Sequence, residues 1–133
     1  MGIFDKLFPS GSLKPEEPSG AERRLRERLA VASGDPATAA TSLRFRLRWT
    51  GQVQGVGFRF NNTNLARARN LTGWVQNMPD GSVEMEVQGA PANILSHLEA
   101  LHDGYRRMGT RFRLAEGIPL AIDPFEETFE PRY

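Results

Sequence analysis

The chain has 133 residues, with 17 lysines and arginines against 16 aspartates and glutamates, so one compact domain plus an extension is expected. The near balance of charge gives no overall field that would draw a nucleic acid or a membrane surface. The absence of cysteine excludes disulfides, thiolate metal sites and thiol nucleophiles together.

No apolar run is long enough to span a bilayer. The start, MGIFDKLFPS, lacks the apolar core of a signal peptide, and Lys6 stands where a myristoylation signal carries Ser or Thr. A cytoplasmic protein is expected. Residues 1–42 read as a flexible extension, broken by Pro9, Gly11, Pro15, Pro18, Gly20 and Pro36. Within it, residues 21–32 have the pattern of a short helix with Leu25 and Leu29 at i, i+4. Twelve residues are marginal as an isolated helix, so a mobile or loosely docked segment is expected. The other reading is a helix that binds a protein partner or docks on the chain itself, with Ile3, Phe4, Leu7 and Phe8 as a second apolar anchor.

The compact domain begins at Leu43. Leu43, Phe45, Leu47 and Trp49 alternate with Arg44, Arg46 and Arg48, the period of a half-buried strand. Three glycines then fall within seven residues, Gly51 to Gly57, and Arg59 follows as the pattern turns helical. Glycines allow the backbone close to a ligand, and consecutive N–H groups ahead of a helix start form a cradle for a phosphate-sized anion. Phe58 to Leu71 is predicted helical, with its asparagines outward. Gly73–Asn77 reads as a second strand, Pro79-Asp80-Gly81 as a turn and Val83–Val87 as a third strand in a hairpin. Ala92 to His102 is a second helix, with Gly104 as its stop. Thr110 to Leu114, or on to Ile118, and Phe129 to Tyr133 are predicted strands, the last at an edge because of Pro131.

Strand, helix, strand, strand, helix, strand is the split βαβ order of a ferredoxin-like α+β sandwich, an antiparallel sheet with two helices on one face. A right-handed crossover makes the first two strands parallel, with the third inserted between them. Their carboxyl ends share one rim, which places Asn77 beside the glycine loop and Arg59. His97 and His102 lie away from that rim and are expected at the surface.

Gly51-Gln52-Val53-Gln54-Gly55-Val56-Gly57-Phe58-Arg59 and Gly73-Trp74-Val75-Gln76-Asn77-Met78-Pro79-Asp80-Gly81 together resemble the two motifs of the acylphosphatase family. The resemblance covers roughly residues 43–133. It implies hydrolysis of the carboxyl–phosphate anhydride of acyl phosphates, with no metal and no cofactor. It also implies that Arg59 binds phosphate alongside the loop amides of Gln52, Val53, Gln54, Gly55, Val56 and Gly57. Asn77 matches the asparagine that orients the attacking water. A small-molecule acyl phosphate is thus the expected partner of a monomeric enzyme, and the extension is the part available to a protein partner. The alternative is a non-catalytic acylphosphatase-like binding module. An RNA-binding sheet is disfavoured, because Glu84 and Glu86 stand across from the strand-one arginines and explain both rows as a charge ladder.

Overall fold

The computed structural model describes residues 17–133. Its elements run α1 (Gly20–Gly34), β1 (Leu43–Gly51), α2 (Phe58–Ala68), β2 (Thr72–Asn77), β3 (Val83–Gly89), α3 (Pro91–Arg106), β4 (Phe112–Leu120) and β5 (Phe129–Arg132). The sheet order is β4-β1-β3-β2-β5. β3 pairs antiparallel with both β1 and β2, so β1 and β2 are parallel to each other and end on one rim, as the split βαβ order requires. This is the expected ferredoxin-like sandwich with two additions. β5 joins the edge parallel to β2, which makes the sheet mixed, and a third helix stands beside the other two.

The period of two in β1 sorts its side chains as predicted. Phe45, Leu47 and Trp49 are buried among the helices with Val75, Met85, Leu98 and Leu114. Arg44 and Arg46 reach the β3 carboxylates of Glu86 at 3.0 Å and Glu84 at 2.7 Å, the charge ladder expected of the open face. Arg44 is covered as well, because Glu126 lies 2.7 Å away and Gln88 bonds both ways with the Asp123 backbone. Trp74, also on that face, lies under the Arg132 guanidinium at 4.3 Å.

The third helix, α1, corrects the expectation of a flexible segment for residues 20–34. Leu25 and Leu29 are buried in the main core, and each such leucine contributes about 2 kcal/mol. The Ser19 hydroxyl caps the helix by accepting from the Glu22 N–H at 3.1 Å, and donates to the Leu114 carbonyl of β4 at 2.6 Å. Glu22, with no exposed side-chain surface, holds Arg26 and His102 at 2.7 Å each. The apolar stripe is thus spent on this chain's own sheet and α3, which removes it as a partner-binding face. The anchor residues Ile3, Phe4, Leu7 and Phe8 lie outside the described residues.

Other boundaries moved for local reasons. α2 stops at Ala68 rather than Leu71, because Asn70 takes the left-handed conformation (φ 56°) that ends a helix. α3 runs past Gly104 to Arg106, since Leu101 and Tyr105 continue its buried stripe. β4 begins two residues late and extends to Leu120 along β1, with a bulge opposite Arg48 and Trp49. Asn62 does not point outward: it is fully buried, donating to the Phe58 carbonyl at 2.9 Å. His97 is fully buried too and meets the Asn62 Oδ1 at 3.0 Å, and His102 is half-buried against Glu22, so neither is the surface residue expected.

Candidate active site

The glycine loop leaves β1 at the rim and delivers the chain into α2. Gly57 is the N-cap residue, in the left-handed region (φ 73°), and no capping side chain among the described residues bonds the first amides of α2. The first helical bond is Asn61 N–H to the Gly57 carbonyl at 2.9 Å. Among the described residues, the N–H groups from Gln54 to Phe60 donate to no backbone carbonyl. Those of Gln52 and Val53 are committed, to the Arg111 carbonyl at 2.8 Å and the Gly51 carbonyl at 3.0 Å. The Gln52 Oε1 also accepts from Arg111 N–H at 2.7 Å. These bonds of Gln52 and Val53 anchor the loop at its start. The open amides begin at Gln54.

Two contacts from outside the loop set its position. Gln54 Nε2 donates to the Met78 carbonyl at 2.8 Å and the Ser82 carbonyl at 2.9 Å, tying the loop to the β2–β3 turn. The Tyr105 hydroxyl donates to the Val56 carbonyl at 3.1 Å and accepts from Asn61 Nδ2 at 2.8 Å. Tyr105 escaped the sequence reading because nothing in a helical tyrosine announces a partner nearly fifty residues away.

Arg59, on the first turn of α2, and Asn77, at the end of β2, line one cleft of roughly 460 Å³ with Gly55, Gly57 and Thr63. Arg59 is half-buried. Its guanidinium lies 4.1 Å from the Tyr133 ring and 3.4 Å from the Arg132 carbonyl, and among the described residues it pairs with no carboxylate. The Asn77 Oδ1 is buried and has no hydrogen-bond donor among the described residues. An orphaned acceptor of this kind costs about 1–3 kcal/mol unless a partner reaches it. A cation without a carboxylate partner among the described residues and the residue that carries the orphaned acceptor thus line the same cleft.

The second motif is explained by sterics and turn chemistry. Gly73 sits at φ 139°, and a Cβ there would lie 1.8 Å from the Glu86 carbonyl oxygen, so β2 and β3 approach closely only with glycine. Asp80 serves the turn, accepting from Ser82 N–H at 2.9 Å, and the Ser82 hydroxyl and amide hold its carboxyl below the usual range. Among the described residues, no group of three His, Asp or Glu side chains is arranged to hold a metal ion. No helix among them is long and apolar enough to cross a membrane.

A mixed ferredoxin-like sheet, with open loop amides and an arginine without a carboxylate partner among the described residues on the rim of its parallel strands, defines a small α+β sandwich. The Acylphosphatase family profile matches residues 45–129. An acylphosphatase from Salinibacter ruber is 47% identical over 66 residues, which are 50% of this chain and 70% of that protein. Another, from Marinobacter nauticus, is 42% identical over 76 residues, 57% of this chain and 83% of its own length. The crystal structure of the acylphosphatase from Bacillus subtilis superimposes with a TM-score of 0.56 at 30% identity, covering 68% of this chain and 99% of that one. The chain belongs to the acylphosphatase family, and its activity is that of a hydrolase of acyl phosphates. Helix α1 precedes the matched region.

Proposed function

We propose that Arg59 and Asn77 are the catalytic pair of this acylphosphatase, and that the amides from Gln54 to Gly57 bind the substrate phosphate. The observation that carries this is the meeting in one cleft of Arg59, which pairs with no carboxylate among the described residues, and Asn77, whose buried Oδ1 has no donor among them. The loop amides and the N-terminus of α2 direct N–H groups and partial positive charge at the non-bridging oxygens. Arg59 adds a permanent, planar cation suited to two oxygens at once. The Asn77 Oδ1 accepts from a water molecule and aims its lone pair at phosphorus.

The water oxygen then forms the new P–O bond in line with the departing acyl oxygen, and the bond from phosphorus to that oxygen breaks. An acyl phosphate dianion plus water gives a carboxylate and dihydrogen phosphate, which balances atoms and charge. Phosphoryl transfer of this kind is catalysed by positioning and charge stabilisation. The leaving carboxylate has a conjugate-acid pKa of about 4, so no strong general acid is required. That matches a cleft whose lining residues include no histidine, aspartate or glutamate.

The reading extends to a monomeric, cytoplasmic enzyme, supported by a site whose loop, arginine and asparagine all come from one chain. Release of phosphate from acetyl phosphate by the wild type, Arg59→Ala and Asn77→Ala tests the catalytic roles. Each substitution is expected to lower kcat by about a hundredfold or more. Equal rates in all three proteins would remove both residues from the chemistry.

A further inference from the structure

The stripe of Leu25 and Leu29 on α1 is spent on the core, but the side of the helix next to it is open. Between that side and β4 runs a groove of roughly 310 Å³. Leu25, Phe45, Gly117 and Pro119 line its apolar part, and Arg24 and Arg28 stand along its helical wall. One wall thus comes from α1, outside the family-matched residues 45–129.

Two sets of groups in the groove lack partners. Arg24 and Arg28 are exposed and pair with no carboxylate among the described residues. Arg28 lies 5.5 Å from the Phe45 ring instead. Glu116 also lines the groove, but it stands opposite Arg48 on the open face, 3.9 Å from that guanidinium. β4 is an edge strand, so among the described residues the outer side of its backbone has no strand to pair with. Pro119 has no N–H to give β1, which places its nitrogen on that outer side. Gly117, two residues earlier, turns its N–H and C=O the same way.

Helix and strand periods agree along this groove. Ser19 bonds the Leu114 carbonyl, and a Cβ on Gly117 would lie 3.7 Å from Leu25, so α1 runs beside β4 in the same direction. Arg24 and Arg28 are one turn apart, about 6 Å along the helix axis. Residues i and i+2 of a strand, which share a face, are about 6.6 Å apart. Carboxylates at two such positions of an added strand therefore reach both arginines. The residues between them face the other way, beside Ile118 and Leu120. Those two stand opposite Arg46 and Arg44 on the open face, 45% and 36% exposed, and apolar neighbours cover them.

We infer that the edge of β4 and the open side of α1 take an extended segment of another protein, alternating acidic and apolar residues, as an added strand. Main-chain bonds hold such a segment, and alternate side chains select it. Residues 1–16 lack this chemistry, since Asp5 and Glu16 are offset by Lys6 and Lys14. The test titrates the full-length protein into a labelled nine-residue peptide that alternates valine and glutamate, read by fluorescence anisotropy. An isomer with the valines and glutamates in two blocks, and a valine–lysine peptide, are each expected to bind about tenfold more weakly or worse. Arg24→Glu combined with Arg28→Glu is expected to weaken the alternating peptide by a similar factor, with phosphate release from acetyl phosphate unchanged. Pro119→Val, which supplies an outward N–H, is expected to strengthen it a few-fold. Weaker binding to that variant would rule out strand addition. An alternating peptide that fails to bind, or whose affinity the double substitution leaves intact, would overturn the inference. Equal binding of the blocked isomer would overturn it too, and leave a general anion patch. Binding that appears only after residues 1–16 are removed, or a self-association that the peptide disperses, would give the groove to this chain itself and not to another protein.

Discussion

The Tyr105 hydroxyl donates to the Val56 carbonyl across 3.1 Å while accepting from Asn61, so one phenol on α3 grips the glycine loop and the first turn of α2 together. The ring beneath it is 1% exposed and packs against Phe58 and Phe112, so the hydroxyl is held where it is by the core. Tyr105→Phe keeps that packing and removes only the grip. Stability is expected to fall by about 1 kcal/mol. The kcat/KM for acetyl phosphate is expected to fall several-fold, because a misplacement of even 1 Å in a positioned site is expensive in rate. Steady-state phosphate release with a parallel urea titration separates the two. A stability loss with unchanged kinetics would show that the loop holds its own shape.

Gln54 makes the complementary tie, from the loop to the turn that follows Asn77. Its amide donates to the Met78 and Ser82 carbonyls, and thereby ties the glycine loop to the turn beside Asn77. Gln54→Ala is expected to lower kcat about tenfold while leaving the affinity for inorganic phosphate within a few-fold, since the cradle amides themselves are backbone groups. Isothermal titration with phosphate, set beside kcat, checks this split. A loss of phosphate affinity as large as the loss of kcat would instead make Gln54 part of the cradle's shape.

His97 gives the protein an acid-labile core. Burial, first, and the nearby Arg69 charge, second, lower its pKa from 6.5 to about 4. A depressed pKa on a basic group means that the unfolded chain takes up the proton first. Stability is therefore complete above about pH 6.5 and declines as the pH falls toward 4, by about 3 kcal/mol over that window. Urea midpoints measured between pH 7 and pH 4 read this slope, and His97→Gln is expected to flatten it. An equally steep slope in that variant would assign the acid sensitivity to other groups.

The strand order, the rim and both halves of the candidate site were legible because each rests on short-range chemistry. Alternation in β1, the Pro79-Asp80-Gly81 turn and the spacing of three glycines act within a few residues. What escaped depends on contacts distant along the chain. Asn62 Oδ1 and His97 Nε2 meet across 35 positions, and neither residue type reveals this by itself. The bond of the Gln52 N–H to the Arg111 carbonyl, on the neighbouring strand's approach, is likewise invisible locally. α1 did carry a local signal. Ser19 and Glu22 stand three apart ahead of the apolar positions Leu25 and Leu29, the spacing of a capping box. Isolated-helix length outweighed it, although tertiary packing supplies most helical stability in proteins.

Helix α1 is accordingly expected to be part of the folded unit and not an appendage to it. Leu29 has no exposed surface and sits in the same core as Leu47, Leu98 and Leu114. Leu29→Ala should therefore destabilise by about 2–5 kcal/mol, the range for truncating a buried leucine. Val31→Ala, on the exposed side at 75% accessibility, should change stability by less than about 0.5 kcal/mol. Removal of residues 1–42 uncovers the strip of β4 and α3 that Leu25 and Leu29 occupy and leaves His102 without Glu22. A chain starting at Leu43 is expected to melt at a lower temperature than the full-length protein. Its catalytic constants at low temperature should be closer to normal, because the cradle, Arg59 and Asn77 all lie beyond α1. Thermal melts monitored by circular dichroism, paired with phosphate release at 15 °C, decide the matter. Equal melting temperatures for the two chains would make α1 dispensable to the fold, despite its buried leucines.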